Sequence, residues 1–236
     1  LEEVGYLTSE KLFGDDYPER PYASLIVIGG GPIGTEFAHV FAAAGTDVTL
    51  VQRNVRLLPK EDLDISEAVY QNLKEHMNIL RDTVIESVRR EKGLKVVTVR
   101  NRTTQEVTEL SAEEILIATG IQPAVEELGL ENTDIKRLPG GWIKTNEFLE
   151  TSVDGVYALG DVNGGDQFRH KANYEADIIA HNLYRAQSID DMRWARYDVT
   201  PAVTYTYPEV GHVGLTEEQA KKAGYPVTVG INHYSL

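Results

Sequence analysis

A glycine-rich turn between an apolar run and a helix-like segment most constrains the fold of this chain. Residues 25–28 are continuously apolar, which is typical of a buried parallel strand. Residues 33–44 place apolar side chains at helical spacing, Gly45 can end the helix, and a second apolar run follows at 48–51. Strand, helix and strand within this short distance predict a right-handed βαβ unit. The side chains predicted to share the buried helix face are Ile33, Phe37, Val40, Phe41 and Ala44.

The turn itself has the pattern G-x-G-x-x-G, and its position after a strand and before a helix favours a dinucleotide site. Gly29 would permit the tight turn, Gly31 would let the backbone approach a pyrophosphate, and Gly34 would let the helix pack closely on the strand. The helix N-terminus would offer N–H groups and a partial positive charge to the phosphates. A glycine turn inside an ordinary core is the alternative. The predicted loop residues are Gly29, Gly30, Gly31, Pro32, Ile33 and Gly34.

The end of the second strand should carry the residue that reads the adenosine ribose. That residue is Gln52, where a carboxylate would accept bonds from the 2′-hydroxyl of NAD and repel a 2′-phosphate. Arg53 and Arg56 follow and can make charge-assisted bonds to a 2′-phosphate. The sequence therefore favours NADP slightly over NAD, although solvated surface arginines would give the same pattern.

The remaining elements are predicted from periodicity and from start and stop signals. Asp64 is expected to cap a second helix, with Glu67 completing a capping box. A small antiparallel meander is expected over residues 94–110, because two strand-like runs flank a polar turn. Further predicted elements are strands at 115–118 and 156–159, a helix at 171–186, short strands from about 201, and a helix at 217–223 between Thr216 and Gly224.

Composition excludes several classes of function. The net charge of −14 argues against nucleic acid as the main partner, and there is no apolar run long enough to span a membrane. With no cysteine, the chain offers no disulfide, thiolate metal site or catalytic thiol, and its histidines lack metal-ligand spacing. The chain starts at Leu1 without an initiator Met and stops after a strand-like run at 227–231, so we expect an excised piece of a longer protein; a processed mature protein is the alternative. A signal peptide is not recognised, so a cytoplasmic location is expected.

Three stretches carry a resemblance to a known family. They are VIGGGPIGTE at 27–36, ILIATG at 115–120 and TSVDGVYALGD at 151–161. In order and spacing they resemble the pyridine nucleotide–disulfide oxidoreductases, flavoproteins related to dihydrolipoamide dehydrogenase. The segment at 201–220 is similar to the start of that family's dimerisation domain, so the resemblance covers nearly the whole chain and implies a homodimeric parent.

The strand pattern predicts an α/β fold, in which a parallel sheet carries helices and the small antiparallel meander. The resemblance identifies this part as a Rossmann-like NAD(P)-binding domain. Pieces of an FAD domain and of a dimerisation domain would flank it. The implied segments are an FAD-domain connector at 1–22, the NAD(P)-binding domain at 23–145, a returning FAD-domain segment at 146–195, and a truncated dimerisation domain at 196–236.

The resemblance also assigns roles to individual residues. Glu36 would lie near the nicotinamide, although a glutamate in a first helical turn is also a good dipole partner. Val84 would contact the adenine, and Gly120 would line the nucleotide site; core packing and a plain turn are the alternatives. Asp161 would bind the ribityl chain of FAD, although an aspartate after a strand can simply cap a helix. The residues expected around the flavin are Gln167, Phe168, Arg169 and His170.

The implied activity belongs to the intact parent, which would exchange hydride between NAD(P)H and a small disulfide or dithiol through FAD. Dihydrolipoamide dehydrogenase is the first interpretation. An NADPH-dependent reductase of the mercuric, glutathione or mycothiol-disulfide type is the alternative, favoured by Gln52 and Arg53. The family's redox cysteines, first FAD loop and catalytic His–Glu pair would lie outside this chain. The isolated chain is therefore expected to bind nucleotide without catalysing a reaction.

Overall fold

The computed structural model describes residues 3–14 and 17–233, which fall into two compact units. The first unit runs to Gly120 and takes in residues 203–211 and the segment from Leu215 onward. The second unit holds residues 121–202 and 212–214. Within the described ranges, no helix combines the length and apolarity needed to cross a bilayer.

A five-stranded parallel sheet organises the first unit. Its strands lie in the order β1-β8-β2-β3-β4, and each pairs in parallel with its neighbour. This confirms the predicted α/β class. Residues 1–22, predicted to be a connector, contribute strand β1 and helix α1 to this unit, whereas the predicted domain bounds stay a prediction. The strands are β1 (Leu7–Thr8), β2 (Ser24–Ile28), β3 (Asp47–Val51), β4 (Asn78–Leu80) and β8 (Glu114–Ile117); helix α1 is Ser9–Phe13.

Successive side chains of β2 point to opposite faces of the sheet, and both faces are covered. Leu25 and Val27 point into one buried cluster, and Ile26 and Ile28 into another. Helices α2 (Pro32–Ala43) and α3 (Leu63–Leu73) cover the first face. An antiparallel meander covers the second. Since both faces are buried, a continuous apolar run suits this strand better than strict alternation with polar residues.

Helix α2 begins and ends as the sequence predicts. Pro32 occupies the first helical position after Gly31, where its missing N–H costs nothing. Gly45 adopts φ +91°, its N–H donates to the Ala42 carbonyl, and the Thr46 N–H donates to the Phe41 carbonyl, which is a Schellman motif.

The predicted buried face of α2 is partly wrong. Phe41 is buried, but Val40 is 57% exposed and Ala44 is also exposed, and the buried residues of the helix include Gly34, Thr35 and Ala38. Small side chains let the helix axis approach the strands closely, so packing selects them over the larger apolar residues that set the periodicity.

The predicted cap of α3 is also wrong. Asp62, rather than Asp64, occupies the N-cap position, and its carboxylate accepts the Glu217 N–H at 2.9 Å. The Asp64 carboxylate accepts the N–H of the adjacent Ile65, and Glu67 pairs with Arg81 and Gln71. The sequence pattern of a capping box is present there without its hydrogen bonds.

The meander is larger than predicted. Its strands β5 (Thr83–Glu91), β6 (Leu94–Asn101) and β7 (Val107–Ala112) form a three-stranded antiparallel sheet in chain order. The two predicted strands correspond to β6 and β7, whereas β5 was not predicted. Its polar residues at Glu86, Ser87 and Arg89 give it no clear apolar alternation.

The second unit is built mainly from loops and one long helix, α4 (Arg169–Tyr184), which begins two residues before the predicted start. The strand predicted at 156–159 is wrong: Tyr157 makes one isolated bridge to Glu150, and Leu159 leads into a 3₁₀ turn at Gly160–Asn163. Ala158 is buried against a loop-built cluster, so its apolarity reflects burial without a sheet.

Short elements complete the described chain. Strands β9 (Pro201–Thr204) and β10 (Val210–Val213) form a two-stranded sheet. Helix α5 (Glu217–Lys222) is capped by Thr216 as predicted, and the cap is a full capping box, in which Thr216 and Gln219 satisfy each other's backbone N–H groups. The strand-like run predicted at 227–231 is largely exposed and belongs to none of the three described sheets.

Candidate functional site

The glycine turn lies where three parallel strands end. The Gly29 N–H donates to the Val51 carbonyl at 2.9 Å, and the Ala118 N–H donates to the Ile28 carbonyl at 2.8 Å. The carboxyl ends of β2, β3 and β8 are thereby joined around one turn. In open α/β sheets this edge is where ligands bind.

The three glycines of the G-x-G-x-x-G pattern differ in the space that a side chain would find at each position. Gly29 has φ +116°, and a Cβ there would lie 2.3 Å from the Ala118 carbonyl oxygen. A Cβ on Gly34 would lie 1.8 Å from the Gly29 carbonyl oxygen, so the first turn of α2 packs directly on the glycine turn. At Gly31, no atom of the described chain other than those of its immediate sequence neighbours lies within 4 Å of the Cβ position. Gly31 therefore borders open space at the helix N-terminus, which fits the close approach of a pyrophosphate.

Gln52 is a structural link within this site. Its side chain is buried at 5% exposure, its Oε1 accepts the Gly30 N–H at 3.2 Å, and its Nε2 donates to the Arg56 carbonyl at 3.2 Å. Both ends of the amide are thus bonded to backbone. Gln52 holds the glycine turn against the loop that follows β3.

The two predicted arginines differ in their surroundings. Arg53 is exposed directly after the strand end. Arg56 is half-buried, and its Nη2 donates to the Pro59 carbonyl at 3.0 Å. Arg53 is therefore the better placed of the two to meet a ligand, because part of the Arg56 guanidinium is already bonded.

A third arginine lies in the same region, on the turn between β6 and β7. Arg102 Nη1 lies 3.4 Å from the Arg53 carbonyl oxygen and 3.4 Å from the Asp82 carboxylate. Neither Arg102 nor Asp82 was identified from the sequence, where the turn looks like a polar connection far from the glycine loop. No local pattern indicates that the turn packs on the end of β3.

Three further predicted residues belong to the first unit. Glu36 Oε1 accepts the Tyr205 N–H at 2.8 Å. Val84 is half-buried near the start of β5, and Gly120 is exposed with φ +142° just after β8. Their predicted contacts with nicotinamide, adenine and nucleotide stay predictions.

The predicted flavin contacts lie in the second unit. Asp161 is exposed on the 3₁₀ turn at Gly160–Asn163, and Gln167 is half-buried in the segment before α4. The Phe168 and His170 rings stack with centroids 5.1 Å apart, and His170 Nε2 lies 2.8 Å from the Pro201 carbonyl oxygen. Arg169 is exposed at the start of α4.

A buried ionic network supports the turn that carries Asp161. Lys171 Nζ lies 3.2 Å from Glu175 Oε1, and both side chains are almost fully buried. The lysine also donates to the carbonyls of Gly160 and Gly164, and Glu175 Oε2 accepts the Gly160 N–H at 2.6 Å. This network was not recognised from the sequence, because a Lys–Glu pair four residues apart usually lies on a solvated helix face.

Asn163 and Tyr197 complete the network. The Asn163 amide accepts from Lys171 at 2.7 Å and donates to Glu175 at 3.1 Å, and the Tyr197 hydroxyl donates to Glu175 at 2.5 Å. Burial raises the pKa of Tyr197 well above its usual range, and the hydrogen bond to the Glu175 carboxylate adds to this. The tyrosine therefore remains a neutral donor.

The parallel sheet, the glycine turn and the N-terminus of α2 define a Rossmann-like dinucleotide-binding unit. The sequence profile of the pyridine nucleotide-disulphide oxidoreductases matches residues 3–176, and the profile of their dimerisation domain matches residues 200–235. The chain therefore belongs to the pyridine nucleotide-disulphide oxidoreductase family, as the sequence resemblance indicates.

Named relatives come from several branches of this family. Mercuric reductase of Staphylococcus aureus is 38% identical over 234 residues, covering 98% of this chain and 41% of that protein. Dihydrolipoyl dehydrogenase of Corynebacterium glutamicum is 32% identical over 201 residues, covering 84% of this chain and 42% of that protein. The chain thus spans about two fifths of the length of these relatives.

Solved structures agree with this assignment. The Cu(II) complex of RclA from Escherichia coli, an HOCl-induced flavoprotein disulfide reductase, superposes with a TM-score of 0.81 at 30% identity. The match covers 93% of this chain and 47% of that one. Both kinds of comparison place the likeness along nearly the whole chain.

Proposed function

We propose that this chain is the pyridine-nucleotide-binding part of a flavin-dependent oxidoreductase that acts on a small disulfide, dithiol or related acceptor, and that it prefers NADPH. The glycine loop would hold the pyrophosphate, and Arg53 would bind the adenosine 2′-phosphate. FAD, when bound to the whole protein, supplies the centre that exchanges hydride with the nicotinamide and electrons with the acceptor. The dimerisation-domain match supports a homodimeric parent.

The identity and hydrogen bonds of Gln52 are the main support for the proposed preference for NADPH. Where a carboxylate would read a ribose 2′-hydroxyl, this chain has a neutral amide whose two polar ends already bond to backbone. Exposed Arg53 follows directly. A cation at this strand end, where Gln52 occupies the position of the ribose-reading carboxylate, favours a dianionic phosphate over a hydroxyl.

The fit of the second unit supports an FAD-dependent parent. Asp161 is exposed on a turn whose backbone is bonded on both sides by the buried Lys171–Glu175 pair. An exposed carboxylate on a turn stabilised in this way suits a polyol such as the ribityl chain, because it can accept hydrogen bonds from the hydroxyl groups.

Calorimetric titration of the 236-residue chain with NADPH and NADH at one ionic strength tests the proposal. We expect tighter binding of NADPH. Arg53→Ala should weaken NADPH binding about tenfold, which is 1.4 kcal/mol, and leave NADH binding unchanged. Arg89→Ala is the matched control, because Arg89 lies on the meander paired with Glu91 and Glu109.

Two results would contradict the proposal. Binding of neither nucleotide would mean that the chain lacks a sufficient nucleotide site. Tighter binding of NADH would favour the second candidate, a dihydrolipoyl dehydrogenase, which the Corynebacterium glutamicum relative supports. Activity of the chain toward disulfides is not expected, because the sequence holds no cysteine.

A further inference from the structure

We propose that Arg102 is a further specificity residue for the adenosine 2′-phosphate, and that Asp82 sets its position. This inference rests on the proposed function, and it adds a residue from a distant hairpin to the same subsite. Arg102 would donate to the phosphate beside Arg53, so that two cations from separate elements meet one dianion.

Backbone hydrogen bonds fix the β6–β7 turn against the end of β3. The Asp82 N–H donates to the Asn54 carbonyl at 3.0 Å, and the Arg102 N–H donates to the Asp82 carbonyl at 2.7 Å. The Thr83 N–H donates to the Gln52 carbonyl at 3.0 Å. Residues 82–83 therefore connect residues 52–54, at the end of β3, to the base of the β6–β7 turn. Main-chain hydrogen bonds thus determine the position of Arg102.

Side-chain hydrogen bonds also stabilise the turn. The Asn101 amide oxygen accepts the N–H groups of Thr103 and Thr104, and the Thr103 hydroxyl donates to Asp82 at 2.5 Å. The Asp82 side chain is only 14% exposed. A site that is ordered before its ligand arrives loses less entropy on binding.

The Arg102 guanidinium retains donors for a ligand. Its contacts with the Arg53 carbonyl and with Asp82 are both 3.4 Å, longer than the usual 2.9–3.0 Å, and its side chain is 53% exposed. A guanidinium carries five N–H donors in a fork that matches phosphate oxygens. A phosphate monoester near neutral pH carries a charge of about −1.5 to −2 and accepts such bonds readily.

Substitution of Asp82 should change NADPH affinity in the direction opposite to substitution of Arg102. Its carboxylate competes with a phosphate for Arg102 and repels the incoming charge. Asp82→Asn keeps an oxygen to accept from Thr103 while removing the negative charge. The two substitutions Arg102→Gln and Asp82→Asn should therefore change NADPH affinity in opposite directions.

The test measures binding of NADPH, NADH, adenosine 2′,5′-bisphosphate and 5′-AMP to the full 236-residue chain. For Arg102→Gln, we expect about tenfold weaker binding of the two 2′-phosphorylated probes, and unchanged binding of the other two. For Asp82→Asn, we expect severalfold tighter binding of the 2′-phosphorylated probes only. Arg89→Gln on the same meander should change none of the four.

The outcomes separate this inference from the proposed function. If wild type prefers NADPH and Arg53→Ala removes the preference while Arg102→Gln does not, the proposed function stands and the role of Arg102 is refuted. Equal weakening of all four probes by Arg102→Gln would show a merely structural role for the turn and would also refute it. If wild type shows no NADPH preference, both proposals fail together.

Discussion

Removal of the Glu175 carboxylate should destabilise the second unit strongly. Glu175 is fully buried and accepts from the Gly160 N–H, Asn163, Tyr197 and Lys171. In Glu175→Ala, Lys171 would keep a buried charge without its counter-charge, and three further donors would lose an acceptor. Breaking a buried ion pair from one side costs about 3–5 kcal/mol, so we expect a loss in that range.

Tryptophan fluorescence during urea unfolding provides the assay. Both tryptophans, Trp142 and Trp194, belong to the second unit, and Trp142 packs against Gly164 of the same turn. For a urea dependence of about 1–3 kcal/mol per M, the expected loss moves the midpoint down by more than about 1 M. A circular-dichroism transition recorded in parallel reports the first unit as well.

Two comparisons show whether burial causes the effect. Lys221→Ala removes the exposed pair with Glu217 on α5 and should cost less than about 0.5 kcal/mol. The double variant Lys171→Met with Glu175→Leu should cost less than the sum of its single changes, because neither charge is left unpaired. A loss below about 1 kcal/mol for Glu175→Ala, or additive single effects, would refute the reasoning.

Two further predictions concern the glycine turn and alkaline stability. Gly34→Ala should lower the free energy of unfolding by at least about 1–3 kcal/mol, because its Cβ would overlap the Gly29 carbonyl oxygen. Gly31→Ala should leave the unfolding midpoint unchanged but weaken NADPH binding, because the Cβ position at Gly31 borders open space. Equal unfolding midpoints for the two variants would contradict this prediction. The raised pKa of Tyr197 means that above about pH 10 the unfolded chain loses a proton that the folded chain keeps. Stability should therefore fall as the pH rises above 10, and Tyr197→Phe should show a smaller fall, while costing about 1 kcal/mol at pH 7 for the lost hydrogen bond to Glu175. Parallel pH profiles of the two proteins would contradict the assignment.

Features that depend on neighbouring residues could be predicted from the sequence. The glycine turn, the end of α2 at Gly45 and the helix cap at Thr216 each require only a few consecutive residues, and all three agree with the structure. The α/β class followed from the order of strands and helix around that turn. Local chemistry determines these features, because the groups involved satisfy one another within a single turn of chain.

Features that depend on distant partners could not be predicted. The run at 156–159 has the composition of a strand but makes only one isolated bridge, and Val40 on α2 faces outward despite its apolarity. Arg102 and the Lys171–Glu175 pair looked like ordinary surface residues. Their roles arise from packing of the β6–β7 turn on β3, and of α4 on the turn at Gly160–Asn163.

Gln52 combines a feature that could be predicted from neighbouring residues with one that depends on distant partners. Its place at the end of β3 was predicted, and so was the absence of a carboxylate, but its buried amide links Gly30 to Arg56. A glutamate in the same pose could accept from Gly30 yet would present a second oxygen to the Arg56 carbonyl, where a donor is required. The same amide that holds the glycine turn therefore disfavours a carboxylate at this position. Under the proposed function, selectivity for the adenosine ribose would therefore depend on neighbouring side chains, and those of Arg53 and Arg102 are both cationic.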